Sequence, residues 1–222
     1  MGNAECYCHP GVLMQKKCIL YLRTDICDEE LTMGGSVGHT VGVINGFIQE
    51  GYDVVCASSC MLPILSKLPL TKLVSLENPK KLKFLRWKIN CLLSSLFFFS
   101  QTKQLLNTYE VTAIYQRYSL LNVTGLLLSW WCNTELILEY NGSEVWVAKN
   151  WAAKKRLVDG SWIIALIEKW NITHADYVIV VSEVLKQELM ERGIAASKVL
   201  VNPNGVDPLV FTPKVIKKEC EV

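Results

Sequence analysis

Three clusters in this 222-residue sequence combine residue types that hold anions, hold hydroxyls or move protons. Gly34-Gly35-Ser36-Val37-Gly38-His39 follows an apolar run and a polar loop, and precedes residues at helical spacing. Adjacent glycines let a backbone approach a ligand and turn amide hydrogens toward it. A helix opening there adds the positive end of its dipole, which suits phosphate or carboxylate. A flexible turn with a helix cap accounts for the same residues. Glu139-Tyr140-Asn141-Gly142-Ser143 carries an acid and an amide to the end of the strand-like run ELILEY, then turns at Asn-Gly. A carboxylate placed there can take a proton or hold hydroxyls; a solvated Glu beside a hairpin-like turn is the plainer alternative. Asn202-Pro203-Asn204-Gly205-Val206-Asp207-Pro208 is dense in turn formers and marks an abrupt exit from a sheet. Arg117 and Ser182 close two further strand-like runs, where a cation or a hydroxyl reaches a ligand or merely caps the surface.

The elements that must position these residues alternate. Strand-like runs cover Lys17 to Arg23, Asp53 to Ser58, Val111 to Tyr118, Glu135 to Tyr140, Asp176 to Ser182 and Lys198 to Val201. Helical spacing joins Val41, Ile44, Phe47 and Ile48, and Gly51 closes that helix. Further helices are predicted over Lys80 to Lys103, about Asn122 to Trp131, Ser161 to Thr173 and Glu183 to Arg192. In the first of these, Leu82, Leu85, Ile89, Leu92, Leu93 and Leu96 share the apolar face. Strands alternating with helices imply parallel pairing through right-handed crossovers. Uninterrupted apolar strands such as YVIVV belong to a sheet covered on both faces. The expected fold is α/β, a Rossmann-like, doubly wound, mainly parallel sheet. In such sheets ligands bind beyond the carboxyl ends of the strands, which is where all three clusters fall.

Composition removes several classes of function. Half the residues are apolar, 20% are charged and the net charge is +2, so a sizeable core is available and nucleic acid is not indicated. The glycine spacing is neither the dinucleotide fingerprint nor a P-loop, which argues against a nicotinamide dehydrogenase. Cys6, Cys8 and His9 crowd three ligand types into four residues with no second cluster, a poor zinc signature, and no metal site is expected. The start resembles a myristoylation signal but has Cys6 where Ser or Thr is required. The nine cysteines are odd in number and several lie in strand-like runs, which points to free thiols and a reducing, cytoplasmic compartment. On that reading the sequons at Asn122, Asn141 and Asn171 are incidental. The apolar run Cys91 to Ser100 is short of the ~20 residues that span a bilayer.

Together the motifs resemble the N-terminal domain of family 4 retaining glycosyltransferases of the GT-B fold. The resemblance rests on Gly34-Gly35, His39, Gly51-Tyr52-Asp53-Val54, Tyr115-Gln116-Arg117-Tyr118, Leu138 to Gly142, Ala175-Asp176 with Val180-Val181-Ser182, and Lys198 to Asp207 with Phe211 and Pro213. It implies transfer of a sugar from a nucleotide-diphosphate sugar to an acceptor hydroxyl with retention, in glycan, polysaccharide or glycolipid synthesis, without a divalent metal. It places Gly34, Gly35, Ser36, His39, Arg117, Asn141 and Ser182 along the acceptor and phosphate side of a cleft. Glu139 faces the transfer point as a candidate catalytic acid or base, and Asn204, Gly205 and Asp207 form an interdomain hinge.

The corresponding domain boundaries are a tail over 1–16, the acceptor-side domain over 17–207 and a linker over 208–222. A second α/β domain, which would hold the donor, needs about 150 further residues; the chain is therefore expected to be inactive alone and to require that domain or a donor-binding subunit. The alternative is a non-catalytic glycan-binding or partner module. The acceptor is expected to be a glycan or a lipid-linked molecule. The basic, aromatic segment 80–103 offers peripheral membrane contact through Phe98 and Phe99, or else is a core helix with a solvated basic edge.

Overall fold

A computed structural model of the protein describes residues 17–25, 30–32, 34–78, 87–146 and 161–205. Seven strands form one sheet: β1 (Cys18–Arg23), β2 (Asp53–Ser58), β3 (Lys72–Ser75), β4 (Val111–Arg117), β5 (Glu135–Tyr140), β6 (Tyr177–Val180) and β7 (Val199–Val201). Their order is β3-β2-β1-β4-β5-β6-β7. Every pairing is parallel. The order reverses between β1 and β4, the switch point where a doubly wound sheet opens a crevice.

Side chains alternate across the sheet with the period of two that strands impose. Ile19, Tyr21, Val54, Cys56, Ala113 and Tyr115 form one core, under helix α1 (Gly35–Gln49), which contributes Val37 and Ile44. Leu20, Leu22, Val55, Ile114, Leu136 and Leu138 face the opposite way. That side is covered by α2 (Trp87–Thr108), α3 (Thr124–Cys132), α4 (Ser161–His174) and α5 (Glu183–Glu191). Coverage on both faces explains the uninterrupted apolar strands.

Three expectations need correction. The sequence reading missed β3 and the 3₁₀ turn Pro63–Lys67. It set Gly34 to His39 ahead of the helical residues, yet α1 begins at Gly35, so His39 lies on the helix and only Gly34 remains outside as its cap, at φ 124°. The third concerns α2, whose apolar positions Ile89, Leu93 and Leu96 are exposed, while Ser94, Ser95, Phe98 and Thr102 are buried. Close packing against α3 is the reason. Thr124 Oγ1 donates to the Ser95 carbonyl at 3.2 Å and the Val123 amide donates to Ser95 Oγ at 3.1 Å. Ser94 and Thr102 satisfy their buried hydroxyls on the Asn90 and Phe98 carbonyls one turn back, each at 2.7 Å. Of the expected membrane anchors, Phe98 is buried and Phe99 is half-buried with Trp131 edge-on to it. The basic residues Lys80, Lys81, Lys83 and Arg86 lie outside the described residues. So do the tail 1–16 with Cys6, Cys8 and His9, and residues 206–222 with the hinge residue Asp207.

Candidate functional site

Strand register builds the site. Arg23 of β1 pairs in register with Arg117 of β4, which pairs with Glu139 of β5. All three residues therefore reach the carboxyl edge of the sheet together, on the α1 side. Glu139 is wholly buried. Its Oε1 accepts from Arg117 Nη1 and, at 2.6 Å, from Asn141 Nδ2. Its Oε2 accepts from the Tyr115 hydroxyl at 3.1 Å and lies 3.3 Å from His39 Nε2. The His39 approach is close enough for charge attraction but off the line of a good hydrogen bond, so Nε2 has no hydrogen-bond partner. Burial alone would push the Glu139 carboxyl up; His39, the Arg117 guanidinium and the Asn141 amide outweigh it and hold Glu139 below the ordinary glutamate range.

This burial corrects two expectations. Glu139 is not a solvated residue on a hairpin turn, because β5 lies between parallel neighbours. Nor does it face a transfer point with a free oxygen, since both oxygens are engaged inside the fold. It anchors Arg117 and Asn141, the side chains of the cluster that retain access to solvent.

A second set of contacts fixes the start of α1. Arg23, itself buried, donates from Nη1 to the Ser36 carbonyl at 3.2 Å and to Thr40 Oγ1 at 2.9 Å, and from Nη2 to Ser36 Oγ at 3.3 Å. Its Nε donates to Asp25 Oδ2 at 2.9 Å. The cap residue Gly34 supplies no side chain. Gly34 and Gly35 are exposed, so the first helical amides open toward the strand ends. The arrangement sets a helix N-terminus beside the Arg117 guanidinium, a surface that attracts an anionic group while Asn141 offers an amide to hydroxyls.

The sequence reading missed Arg23, Thr40 and Tyr115. The available signal was an arginine closing an otherwise apolar strand, two residues after Tyr21 and hence on the same face. Tyr115 stacks on Tyr21 with ring centroids 5.4 Å apart. Glu144, also missed, carries a carboxyl pushed up by burial and then by the charges of Glu168 and Asp25, with Arg117 acting the other way.

The loop after β5 has its own anchor. Buried Glu168 of α4 accepts from the Tyr140 hydroxyl at 3.1 Å, Ser143 Oγ at 3.2 Å, the Glu144 amide at 2.9 Å and Arg192 Nη2 at 3.0 Å. Asn122 plays the same part after β4: its Nδ2 donates to the Thr24 carbonyl at 3.2 Å and its Oδ1 accepts from Gln116 Nε2 at 3.2 Å. Asn122 and Asn171, both sequon residues, are buried in the folded chain. Ser182 is accounted for without a ligand, because its Oγ caps α5 by accepting from the Leu185 amide at 3.3 Å. Asn204 and Gly205 are exposed beyond β7 and touch no other site residue in any hydrogen bond or ion pair described. Among the described residues no group of three or more His, Cys, Asp or Glu is placed to hold a metal ion. Among the described residues Cys18, Cys56, Cys60, Cys91 and Cys132 form no disulfide.

The sheet order, the coverage of both faces and a polar cluster at the switch point define a Rossmann-like α/β domain, the N-terminal half of a GT-B fold. The family described as Glycosyltransferase Family 4 matches residues 33–208. The chain belongs to that family. No curated protein matches it. Among solved structures it resembles a glycosyltransferase from Rickettsia africae ESF-5, with TM-score 0.52 and 19% identity over 89% of this chain and 47% of that one. It also resembles sucrose-phosphate synthase from Thermosynechococcus elongatus, with TM-score 0.56 and 14% identity over 90% and 51%. A third likeness is to UDP-GlcNAc 2-epimerase from Neisseria meningitidis bound to UDP-GlcNAc, with TM-score 0.54 and 10% identity over 86% and 46%. At these identities the likeness is one of fold. The chain spans about half the length of these structures.

Proposed function

We propose that this chain forms the acceptor side of a retaining glycosyltransferase, which moves a sugar from a nucleotide-diphosphate sugar to an acceptor hydroxyl. The observation that carries this reading is the Arg117–Glu139–His39 cluster at the switch point, beside the open N-terminus of α1, in a chain of Glycosyltransferase Family 4. Arg117 and the amides of Gly35 and Ser36 face the anionic part of the bound substrates, and Asn141 faces hydroxyls. Glu139 anchors Arg117 and holds His39 against the buried cluster. Proton transfer at the acceptor is left to the donor's departing phosphate, and no divalent metal takes part.

The donor nucleotide is held by a second domain or a separate subunit, on this reading. These 222 residues alone turn over no nucleotide sugar. The acceptor is a glycan or a lipid-linked molecule in polysaccharide or glycolipid synthesis, met in the cytoplasm or at the inner face of a membrane. The odd number of cysteines, several of them in strand-like runs, supports that compartment.

The test is release of nucleoside diphosphate from a panel of nucleotide sugars, with a panel of acceptor glycans, by the 222-residue chain. No release is expected from the chain alone, while saturation-transfer NMR detects acceptor binding that Arg117→Ala removes. Turnover by the isolated chain would overturn the division of labour between two halves. Acceptor binding that survives Arg117→Ala would remove the assigned cleft. A non-catalytic glycan-binding module is the competing reading; it predicts acceptor binding and no turnover even when a donor-binding half is supplied.

A further inference from the structure

The helical layer opposite α1 buries Phe98, Leu126, Leu128, Ile164 and Ile172, yet it leaves further large apolar residues on its outer side. On α2, Ile89, Leu93, Leu96 and Phe97 are exposed, while the residues turned inward include Ser94, Ser95 and Thr102. On α3, Thr124, Gly125, Leu126, Leu128 and Ser129 are buried, and Trp130 and Trp131 are exposed. On α4, Trp162 and Leu166 are exposed, the former at 67%. A helix that packs against its own domain normally keeps its outer side polar. Here small polar residues share the inner side with large apolar ones, and further large apolar residues face outward, so the outer side carries an extended apolar surface. No helix among the described residues is long and apolar enough to cross a membrane.

The exposed groups lie on adjoining helices. Trp131 of α3 packs edge-on against Phe99 of α2 at 6.3 Å, and Trp130 packs against Trp170 of α4 at 5.4 Å. At the other end of the layer, Cys91 and Leu92 of α2 and Ile163 and Ile167 of α4 converge on buried Leu121 and Ile164. The patch is thus one surface spanning three helices.

Its charge is equally one-sided. The 22, 9 and 14 residues of α2, α3 and α4 contain a single carboxylate, Glu168, in a chain with 21 acidic residues. Glu168 is buried and paired with Arg192, so none of the three helices turns a carboxylate to solvent. Lys88, Lys103 and Lys169 belong to the same helices, and Lys169 is exposed. Tryptophan-rich apolar surface with cations and without carboxylates complements an anionic bilayer, where indole rings settle at the headgroup level.

We propose that α2, α3 and α4 form a face that docks on an anionic lipid bilayer, through Leu93, Leu96, Phe97, Trp130, Trp131 and Trp162. The face differs from the Phe98 and Phe99 contact expected of the sequence, because those rings serve the interior. Lipid docking does not depend on glycosyl transfer, and its test reads no transfer, so the two readings fail separately.

The experiment is flotation of the purified 222-residue chain with phosphatidylcholine vesicles, with and without phosphatidylglycerol. The chain is expected to float with the anionic vesicles, less with the neutral ones, and several-fold less after Leu96→Glu with Phe97→Glu, or after Trp162→Glu with Leu166→Glu. These positions are exposed, and circular dichroism verifies that the variants keep the fold. Brominated lipid gives a second readout on the unmodified chain: tryptophan emission is quenched if the face is inserted. A wild-type chain that stays unfloated and unquenched with every vesicle overturns the proposal. So does flotation that the folded variants leave unchanged. A wild-type dimer broken by the same variants, without flotation, would assign the face to a second copy of the chain instead.

Discussion

Arg117 and Glu139 stand opposite each other on neighbouring parallel strands, and the guanidinium Nη1 donates to Oε1 of a carboxylate that has no exposed surface. The pair joins the fold to the site. Glu139 is held ionised inside the domain by Arg117, His39, Tyr115 and Asn141, and the same contacts present Arg117 and Asn141 at the strand ends.

Replacing Glu139 with Gln therefore leaves Arg117 beside a neutral group and should cost about 3 kcal/mol at neutral pH, the scale for removing one partner of a buried ion pair. The carboxyl titrates lower in the folded chain than the ordinary 4.5, so its contribution is complete above that value and is lost as pH falls through the folded one. Urea unfolding of both proteins at neutral pH and again well below pH 4.5 should show the gap narrowing in acid. A gap independent of pH would mean that Glu139 acts by shape alone.

Arg117→Lys should fold better than Arg117→Ala, since an ammonium still answers the buried carboxylate. It should nonetheless recover little ligand binding, because a point charge does not reproduce the planar fork of a guanidinium. Thermal melts paired with acceptor-binding NMR separate the two effects. Equal binding by the Arg117→Lys variant and the parent would show that charge is all the site requires of this position.

Gly125→Ala should destabilise by about 1–3 kcal/mol. A Cβ built at Gly125 overlaps Gln116 Oε1, the same oxygen that accepts from the Gly125 amide at 2.7 Å. Moving Gln116 also disturbs Asn122 and, through it, the backbone after β1. Denaturant midpoints measure the loss, and an unchanged midpoint would mean that Gln116 has another place to go.

Glu168→Ala should loosen the loop after β5 before it unfolds the domain. The Glu144 amide donates to Glu168 Oε2, so its hydrogen exchange should quicken by more than that of core amides in β4. Acceptor binding should weaken with it, because Asn141 sits at the start of that loop. A uniform rise in exchange would instead show that Glu168 supports the whole domain.

Much of this protein was legible in one dimension. Apolar runs such as YVIVV and ELILEY require burial on two faces, and their alternation with helical segments leaves a parallel, doubly wound sheet as the economical arrangement. The strand ends that carry Arg117 and Glu139 followed from the same pattern. The short β3 did not, because its four residues, KLVS, have no periodicity to count and gain their place only by pairing with β2.

Tertiary structure decided the rest, for reasons that periodicity cannot carry. Register, set by packing of whole strands, brings Arg23, Arg117 and Glu139 to one edge from positions far apart in the chain. The direction in which α2 turns its faces depends on how closely α3 approaches it, and a close approach selects Ser95 over Leu96 for the interior. An amphipathic pattern states that a helix has two faces; the neighbours decide which of them is inside.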